Sequence, residues 1–102
     1  MERYEGSGSW TRYRALLAER AGIPLAVEPE ESELEVRGHR LHLDRWRADG
    51  APRGTVILVH GGGGNGRVLA PFAPLATAAG GEALAPDLPG SGLTRPAPDY
   101  RG

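Results

Sequence analysis

The residues best suited to chemistry form a glycine-rich run, His-Gly-Gly-Gly-Gly-Asn-Gly, at positions 60–66. Glycine has no Cβ, so its backbone amide can be approached closely by another molecule and its φ can take unusual values. Amides exposed in this way can hold negative charge, either on a bound phosphate or on the oxyanion that forms during acyl transfer. The run therefore predicts a backbone anion site, and the residues around it must distinguish between these anions.

Two nucleotide-binding motifs partly fit the run. Gly61, Gly63 and Gly66 match G-x-G-x-x-G, and Asp87 follows about 20 positions later, where a dinucleotide fold places an acid on the ribose. Gly61 and Gly66 also have the spacing of the phosphate loop G-x-x-x-x-G-K-[ST], but Arg67 replaces its lysine and an aliphatic residue replaces its magnesium-binding hydroxyl. Four consecutive glycines satisfy many patterns, so both matches are alternatives of low specificity.

The elements around the glycine run predict a βαβ unit. Residues 55–59, Thr-Val-Ile-Leu-Val, form a continuous β-branched and aliphatic run, which is typical of a strand buried on both faces. A helix is predicted over 67–79, with a kink or a late start at Pro74, and Gly80 and Gly81 end it. A short strand at 82–85 and a loop at 86–92 follow. The two strands should therefore be parallel.

The first half of the chain predicts a helix and a hairpin. Residues 1–8 show no apolar period and are expected to fray, and Ser9 is the predicted N-cap of an amphipathic helix over 10–20. Residues 27–33 are acidic and are interpreted as a linker. Alternating runs over 34–46, interrupted by Gly38, predict an antiparallel hairpin with one wet face, on which His39 and His42 are expected to be solvated.

This order of elements and motifs resembles the opening portion of the α/β-hydrolases. In that family an apolar strand leads into His-Gly, a helix follows, and the next strand leads into an Asp-x-Pro/Arg-Gly-x-Gly loop. Here the first strand leads into His60-Gly61, and Asp87-Leu88-Pro89-Gly90-Ser91-Gly92 begins about 26 residues later. The resemblance covers about residues 34–94. It implies an α/β fold, the N-terminal part of a hydrolase sheet with an antiparallel hairpin followed by a βαβ unit, preceded by an amphipathic helix.

The resemblance also implies roles for individual residues. The backbone N–H of Gly62 is the implied oxyanion donor, with Gly63 as the alternate, and epoxide-cleaving or dehalogenating relatives often carry an aromatic residue where Gly62 stands. Gly62 therefore favours lipase-, esterase- or peptidase-like chemistry. The residues implied to support the site structurally are His60, Gly61, Asp87, Gly90 and Gly92.

The chain lacks a recognisable nucleophile. Ser91 lies between glycines, but Pro89 and Leu93 occupy the outer positions of G-x-S-x-G. In the family the nucleophile follows a later strand, and the acid and histidine follow later still. We therefore expect residues 1–33 to be a helical extension and linker, residues 34–102 to be a hydrolase domain truncated before the nucleophile elbow, and this chain to be inactive alone. The full-length parent is expected to hydrolyse a small-molecule acyl substrate.

Composition limits the remaining possibilities. The chain has 102 residues, a net charge of −1 and no cysteine, which gives no basic surplus for nucleic acid and excludes a disulfide framework, a thiol nucleophile or a thiolate zinc site. No apolar stretch approaches the ~20 residues of a membrane span. We predict no cofactor, no metal and a cytoplasmic location. Two alternatives remain open: a non-catalytic interaction module derived from a hydrolase, and a nucleotide-binding βαβ module.

Overall fold

The computed structural model describes residues 1–25 and 27–101. Their elements, in chain order, are α1 (Gly8–Arg20), β1 (Glu30–Val36), β2 (His39–Trp46), β3 (Thr55–Ile57), a 3-10 helix (Gly66–Phe72), α2 (Ala73–Ala78) and β4 (Glu82–Pro86). The four strands form one sheet in the order β1-β2-β4-β3, in which β3 and β4 are parallel and the other pairs are antiparallel. The predicted hairpin followed by a βαβ unit is therefore confirmed. Residue 102, the end of the predicted second domain, lies outside the described residues.

A two-residue turn connects β1 to β2. Arg37 and Gly38 both have positive φ, 50° and 83°, and Val36 pairs with His39 across the turn. This backbone geometry matches the right-handed twist of the two strands. The prediction of a linker over 27–33 is wrong for its second half, since β1 begins at Glu30. Its carboxylates have partners: Glu30, for example, accepts from Arg47 Nε at 2.6 Å.

One face of the sheet is covered by the helices. Trp46 pairs with Ala83, so both side chains project from the same face, and both are buried. Small residues on the sheet and on the 3-10 helix and α2 let these elements approach closely. The buried apolar residues of this core are Tyr4, Trp10, Leu25, Trp46, Ala70, Ala73, Ala76, Ala83 and Ala85.

His42 and Asp44 project from this covered face as well, because they alternate with Leu41 and Leu43 along β2. His42 is 1% exposed and Asp44 is fully buried. The prediction that His42 lies on a solvated face is therefore wrong: the alternation predicts the strand, but the polar side of the strand faces the helices. His39, at the start of the strand, is half-buried.

The other face of the sheet is open and apolar. Leu34 is 53% exposed, Val36 39% and Ile57 61%. β3 pairs only with β4 among the described strands, so it forms an edge of the sheet. The prediction of a strand buried on both faces is therefore wrong for this chain: nothing among the described residues covers the outer side of β3. We call the surface formed by Leu34, Val36, Leu41, Leu43 and Ile57 the open face.

The helices differ from their predicted bounds at their N-termini. Ser7, not Ser9, caps α1 and accepts from the Trp10 amide. The expectation that residues 1–8 fray is wrong at Tyr4, which is buried. The segment predicted as one helix over 67–79 is a 3-10 helix containing Pro71, and α2 begins only at Ala73, with Pro74 in its first turn. None of the helices among residues 1–25 and 27–101 combines the length and apolar character needed to cross a membrane.

Candidate active site

The glycine loop, residues 61–66, connects the segment after β3 to the 3-10 helix. Gly61, Gly62 and Gly63 are exposed, and Gly63 has a φ of +77°. A Cβ built on any of these three would meet no atom within 4 Å. Across residues 1–25 and 27–101, the amides of Gly62 and Gly63 donate to no protein acceptor. The two predicted oxyanion donors are therefore unengaged, with space around them.

His60 connects the start of the glycine loop to the loop after β4. Its ring is buried, with Nδ1 2.7 Å from the Gly61 carbonyl oxygen, and Nε2 accepts from the Leu88 amide at 3.0 Å. Since Nε2 acts as an acceptor, Nδ1 carries the proton and donates to Gly61. The ring is thus held at both nitrogens, and neither is free for acid–base chemistry.

Asp87 connects the end of the glycine loop to the same region. Its Oδ1 accepts from the Gly66 amide at 2.6 Å, and its Oδ2 accepts from the Leu93 amide at 2.9 Å and from the Tyr4 hydroxyl at 2.5 Å. The carboxylate is fully buried. These bonds leave it no access to a ribose, so the residue that the dinucleotide motif requires is occupied by the protein itself.

Close packing explains two of the glycines around Asp87. A Cβ at Gly66 would lie 2.7 Å from the Ala85 carbonyl oxygen, closer than side chains approach in proteins. Gly92 has a φ of +55°, and a Cβ there would collide with the Asp87 carboxylate and the Tyr4 hydroxyl. Gly90 has a φ of +86°, a conformation that side chains rarely adopt.

The start of the 3-10 helix contributes less to an anion site than a helix over 67–79 would. The Asn65 side chain accepts from the Val68 amide at 3.1 Å, and the Gly66 amide donates to the Asp87 carboxylate. Two of the N-terminal donors of this helix are therefore satisfied by the protein, and the seven-residue 3-10 segment has poorer dipole alignment than an α-helix. Anion stabilisation here would depend on the loop amides.

A buried ionic cluster, which the sequence did not predict, lies behind the loop. Arg67 donates through Nε and Nη2 to the two Asp44 oxygens, both at 2.8 Å. Its guanidinium also lies between two rings, 4.9 Å from the Tyr4 centroid and 4.6 Å from that of Trp10. The phosphate-loop motif would need this side chain at the glycine loop, so that alternative loses its cation.

Glu31 and His42 extend the cluster. His42 Nε2 lies 2.8 Å from Glu31 Oε1, and the amides of Tyr4 and Glu5 donate to the Glu31 carboxylate at 2.6 and 3.0 Å. Desolvation raises the pKa of Glu31, but these hydrogen bonds and the Arg67 charge outweigh it, so the pKa ends below its ordinary value.

Opposing effects also act on the Asp44–Arg67 pair. Desolvation raises the pKa of Asp44, and the bonds from Arg67 only partly offset it. Desolvation lowers the pKa of Arg67, but the Asp44 carboxylate more than reverses this, so the guanidinium stays charged.

The same cluster contains three side chains of types that can bind a metal ion. One ligand atom each from Glu31, His42 and Asp44 lie within 4.8 Å of one another, and all three residues are buried. Arg67, however, already supplies a cation: it is bidentate on Asp44, and its Nη2 lies 3.5 Å from Glu31 Oε1. We therefore assign the cluster a structural role and no metal.

Ser91 is not arranged as a nucleophile. Its amide donates to the Leu88 carbonyl, and its carbonyl accepts from Thr94, as in consecutive turns. No helix follows it within the described residues, whereas a nucleophile elbow joins a strand to a helix.

Comparison with known proteins identifies the fold. No family model matches the chain. No curated protein matches it by sequence. Solved structures do match, among them the haloalkane dehalogenase DpaA from Paraglaciecola agarilytica NO2, with 23% identity over 76% of this chain and a TM-score of 0.57.

Two further structures show the same similarity. The thioesterase domain from the curacin biosynthetic pathway is 31% identical over 71% of this chain, with a TM-score of 0.53. A putative lipase from Acinetobacter baumannii AYE is 20% identical over 93% of this chain, with a TM-score of 0.54. The chain spans only 27%, 25% and 29% of the lengths of these three chains. Its elements correspond to a fraction of their shared fold.

Proposed function

We propose, from the α/β-hydrolase fold that this chain shares with those enzymes, that it forms the oxyanion-hole half of an acyl hydrolase. The full-length parent would hydrolyse an ester or related small-molecule acyl compound with a serine nucleophile. The Gly62 N–H, with Gly63 as alternate, would stabilise the negative charge that develops on the substrate carbonyl oxygen. The division into an extension (1–33) and a partial hydrolase domain (34–102) is part of this proposal.

The observation that carries the proposal is the state of the glycine loop. The Gly62 and Gly63 amides have no acceptor within the described part of the chain, while the loop around them is fixed at both ends by His60 and Asp87. Donors that are fixed in place before the reaction stabilise developing charge without a reorganisation cost. A loop that served only as a connection would not need both properties.

Gly62 favours acyl chemistry over dehalogenation. Its lack of a side chain leaves a backbone donor accessible, which suits a tetrahedral oxyanion. The similarity to the haloalkane dehalogenase, at 23% identity, supports the fold and not that reaction.

The chain by itself is proposed to be inactive. An oxyanion hole needs a second donor, from the residue after the nucleophile, and an attacking group to serve. No cofactor or metal is part of the proposed reaction. A cytoplasmic location remains a prediction, which cell fractionation would test.

The test uses the longest natural form of the protein and a glycine-to-alanine pair. We expect that form to hydrolyse p-nitrophenyl esters and to be labelled covalently by a fluorophosphonate. Gly62→Ala keeps the backbone N–H but places a Cβ in the open space through which the substrate carbonyl must approach it, so it should lower kcat/KM, by up to about the 10²-fold of a lost oxyanion donor. Gly54→Ala, where a Cβ also meets nothing within 4 Å, should leave it unchanged. Absence of labelling and turnover in the natural form, or equal effects of the two substitutions, would contradict the proposal.

The open face supports a second candidate, a non-catalytic interaction module. Leu34, Val36 and Ile57 are all more than a third exposed on one surface, as in surfaces that bind another protein. The two functions differ in a measurable way. A natural form that ends without a nucleophile, unfolds cooperatively and remains unlabelled by the fluorophosphonate would favour the interaction module.

A further inference from the structure

The two ends of the glycine loop are attached to two consecutive residues, Asp87 and Leu88. His60, directly before the loop, accepts through its ring from the Leu88 amide, and Gly66, the last residue of the loop, donates its amide to the Asp87 carboxylate. Asp87 and Leu88 are neighbours in the chain. Movement of residues 87–88 would therefore be transmitted to both ends of the loop that carries Gly62 and Gly63.

Further hydrogen bonds hold Asp87 in its place. Its amide donates to the His42 carbonyl at 2.9 Å, and its own carbonyl accepts from the Thr94 hydroxyl at 2.6 Å. These contacts fix the backbone. The orientation of the carboxylate depends instead on the donors that Oδ1 and Oδ2 meet.

Tyr4 reaches this carboxylate from the beginning of the chain. Its hydroxyl donates to Asp87 Oδ2 at 2.5 Å, across 83 positions of sequence. Its own backbone is held by β1, since its amide donates to Glu31 Oε1 at 2.6 Å. The ring is fixed too, edge-on to His42 with centroids 4.9 Å apart. A side chain fixed at backbone and ring presents its hydroxyl at a defined point.

Loss of the hydroxyl would leave the carboxylate less constrained. Oδ2 would keep only the Leu93 amide. His42 Nδ1 lies 3.5 Å away, but Nε2 of that ring donates to Glu31, so Nδ1 of the neutral ring has no proton to offer in place of the hydroxyl. With one donor fewer on Oδ2 the carboxylate is freer to rotate, and rotation would displace Oδ1, which accepts from the Gly66 amide.

We propose that Tyr4 is a positioning residue of the glycine loop: its hydroxyl orients the Asp87 carboxylate, which fixes Gly66 and with it the loop amides. The N-terminal segment is then part of the machinery of the site, although it lies outside residues 34–94, whose motifs carry the resemblance in sequence. The meaning of the loop as an oxyanion hole rests on the proposed function; the attachment of the loop to Tyr4 does not.

The test compares Tyr4→Phe with Tyr13→Phe in the 102-residue chain labelled with ¹⁵N. Tyr13→Phe is a matched control, because it also removes a hydroxyl that bonds this region, at the Val68 carbonyl. In Tyr4→Phe we expect hydrogen exchange of the Gly66 amide to accelerate by roughly tenfold or more, from the weakening of a charge-assisted bond. The Gly62 and Gly63 resonances should shift, while the Ala83 and Ala85 amides of β4 change little.

Several outcomes would overturn the proposal. Unchanged Gly66 exchange in Tyr4→Phe, an equal acceleration of every amide, or the same effect in Tyr13→Phe would each do so. A ¹H–¹⁵N spectrum of the wild type without chemical-shift dispersion would also overturn the proposal, because the chain would then be unfolded and Tyr4 would hold no loop in place.

A kinetic arm separates this proposal from the proposed function. In an active natural form, Tyr4→Phe should lower kcat while KM changes little. If that form has no acyl hydrolase activity, the proposed function fails, and the exchange data still decide the role of Tyr4.

Discussion

Arg67 and Asp44 form a bidentate ion pair in the core, with both hydrogen bonds at 2.8 Å. Arg67 follows the glycine loop directly, and Asp44 lies in β2, so the pair joins the βαβ unit to the hairpin. Both side chains are at least 97% buried. The removal of two charges from water is costly, and it is offset here by the paired geometry and by the Tyr4 and Trp10 rings on the guanidinium.

The first prediction concerns the loss of one partner of this pair. Arg67→Met should lower the free energy of unfolding by about 3–5 kcal/mol, because Asp44 is left as an uncompensated buried charge. The double variant Arg67→Met/Asp44→Leu should recover most of that loss. Urea unfolding of the two variants and the wild type measures both effects.

Arg47→Met is the matched control for this prediction. Arg47 pairs with Glu30 at 2.6 Å, but both side chains are more than half exposed, so its loss should matter little. An Arg67→Met variant as stable as Arg47→Met would show that the buried pair adds nothing.

The order and pairing of the strands follow from the sequence more readily than the identity of the buried side chains. The period-2 runs and the turn at Gly38 predict the hairpin, and an apolar run followed by glycines predicts the βαβ unit, because both signals are local. The Asp44–Arg67 pair spans 23 positions, and a charged residue in an alternating strand normally faces water. A bare sequence does not indicate that Arg67 folds back over Asp44.

Two other errors have similar causes. Ser7 and Ser9 both suit an N-cap, and because the apolar period begins at Trp10 the pattern favours the later serine. The buried side chain of Tyr4 shows that the chain already packs against the core before Ser7. Residues 55–59 have the composition of a buried strand, but burial depends on a neighbour, and no neighbour covers the outer side of β3 among the described strands.

The second prediction separates packing from function in the glycine loop. Gly66→Ala should destabilise the fold by about 1–3 kcal/mol, because its Cβ would lie 2.7 Å from the Ala85 carbonyl oxygen. Gly62→Ala should leave the free energy of unfolding nearly unchanged, since nothing lies within 4 Å of its Cβ. Thermal or urea unfolding of the two variants tests this, and comparable stability losses would contradict it.

The third prediction follows from the buried hydroxyl of Tyr4. Burial, the hydrogen bond to Asp87 and the nearby negative charges raise its pKa far above the ordinary value of 10.0. Between the two pKa values the unfolded chain loses the Tyr4 proton and the folded chain keeps it. The stability that Tyr4 contributes is therefore fully present below pH 10.0 and declines as the pH rises from there towards the raised pKa.

Unfolding by urea at about pH 8 and about pH 11 measures this decline. In Tyr4→Phe the alkaline loss of stability should be smaller than in the wild type, while Tyr13→Phe should behave like the wild type. A Tyr4→Phe variant that loses as much stability as the wild type would assign the alkaline sensitivity to another group.

The fourth prediction concerns the open face. An apolar sheet surface next to an unpaired strand edge favours association, and Ile57 is 61% exposed there. We expect the 102-residue chain to self-associate, and Ile57→Lys to raise the concentration required by roughly 10- to 100-fold, because the charge replaces an aliphatic contact worth about 1.5–3 kcal/mol. Sedimentation velocity over a range of concentrations measures the shift.

Leu16→Lys on α1 is the control, since Leu16 is 53% exposed on a helix away from the sheet. A wild-type chain that stays monomeric throughout, or an equal effect of the two substitutions, would show that the open face does not drive association.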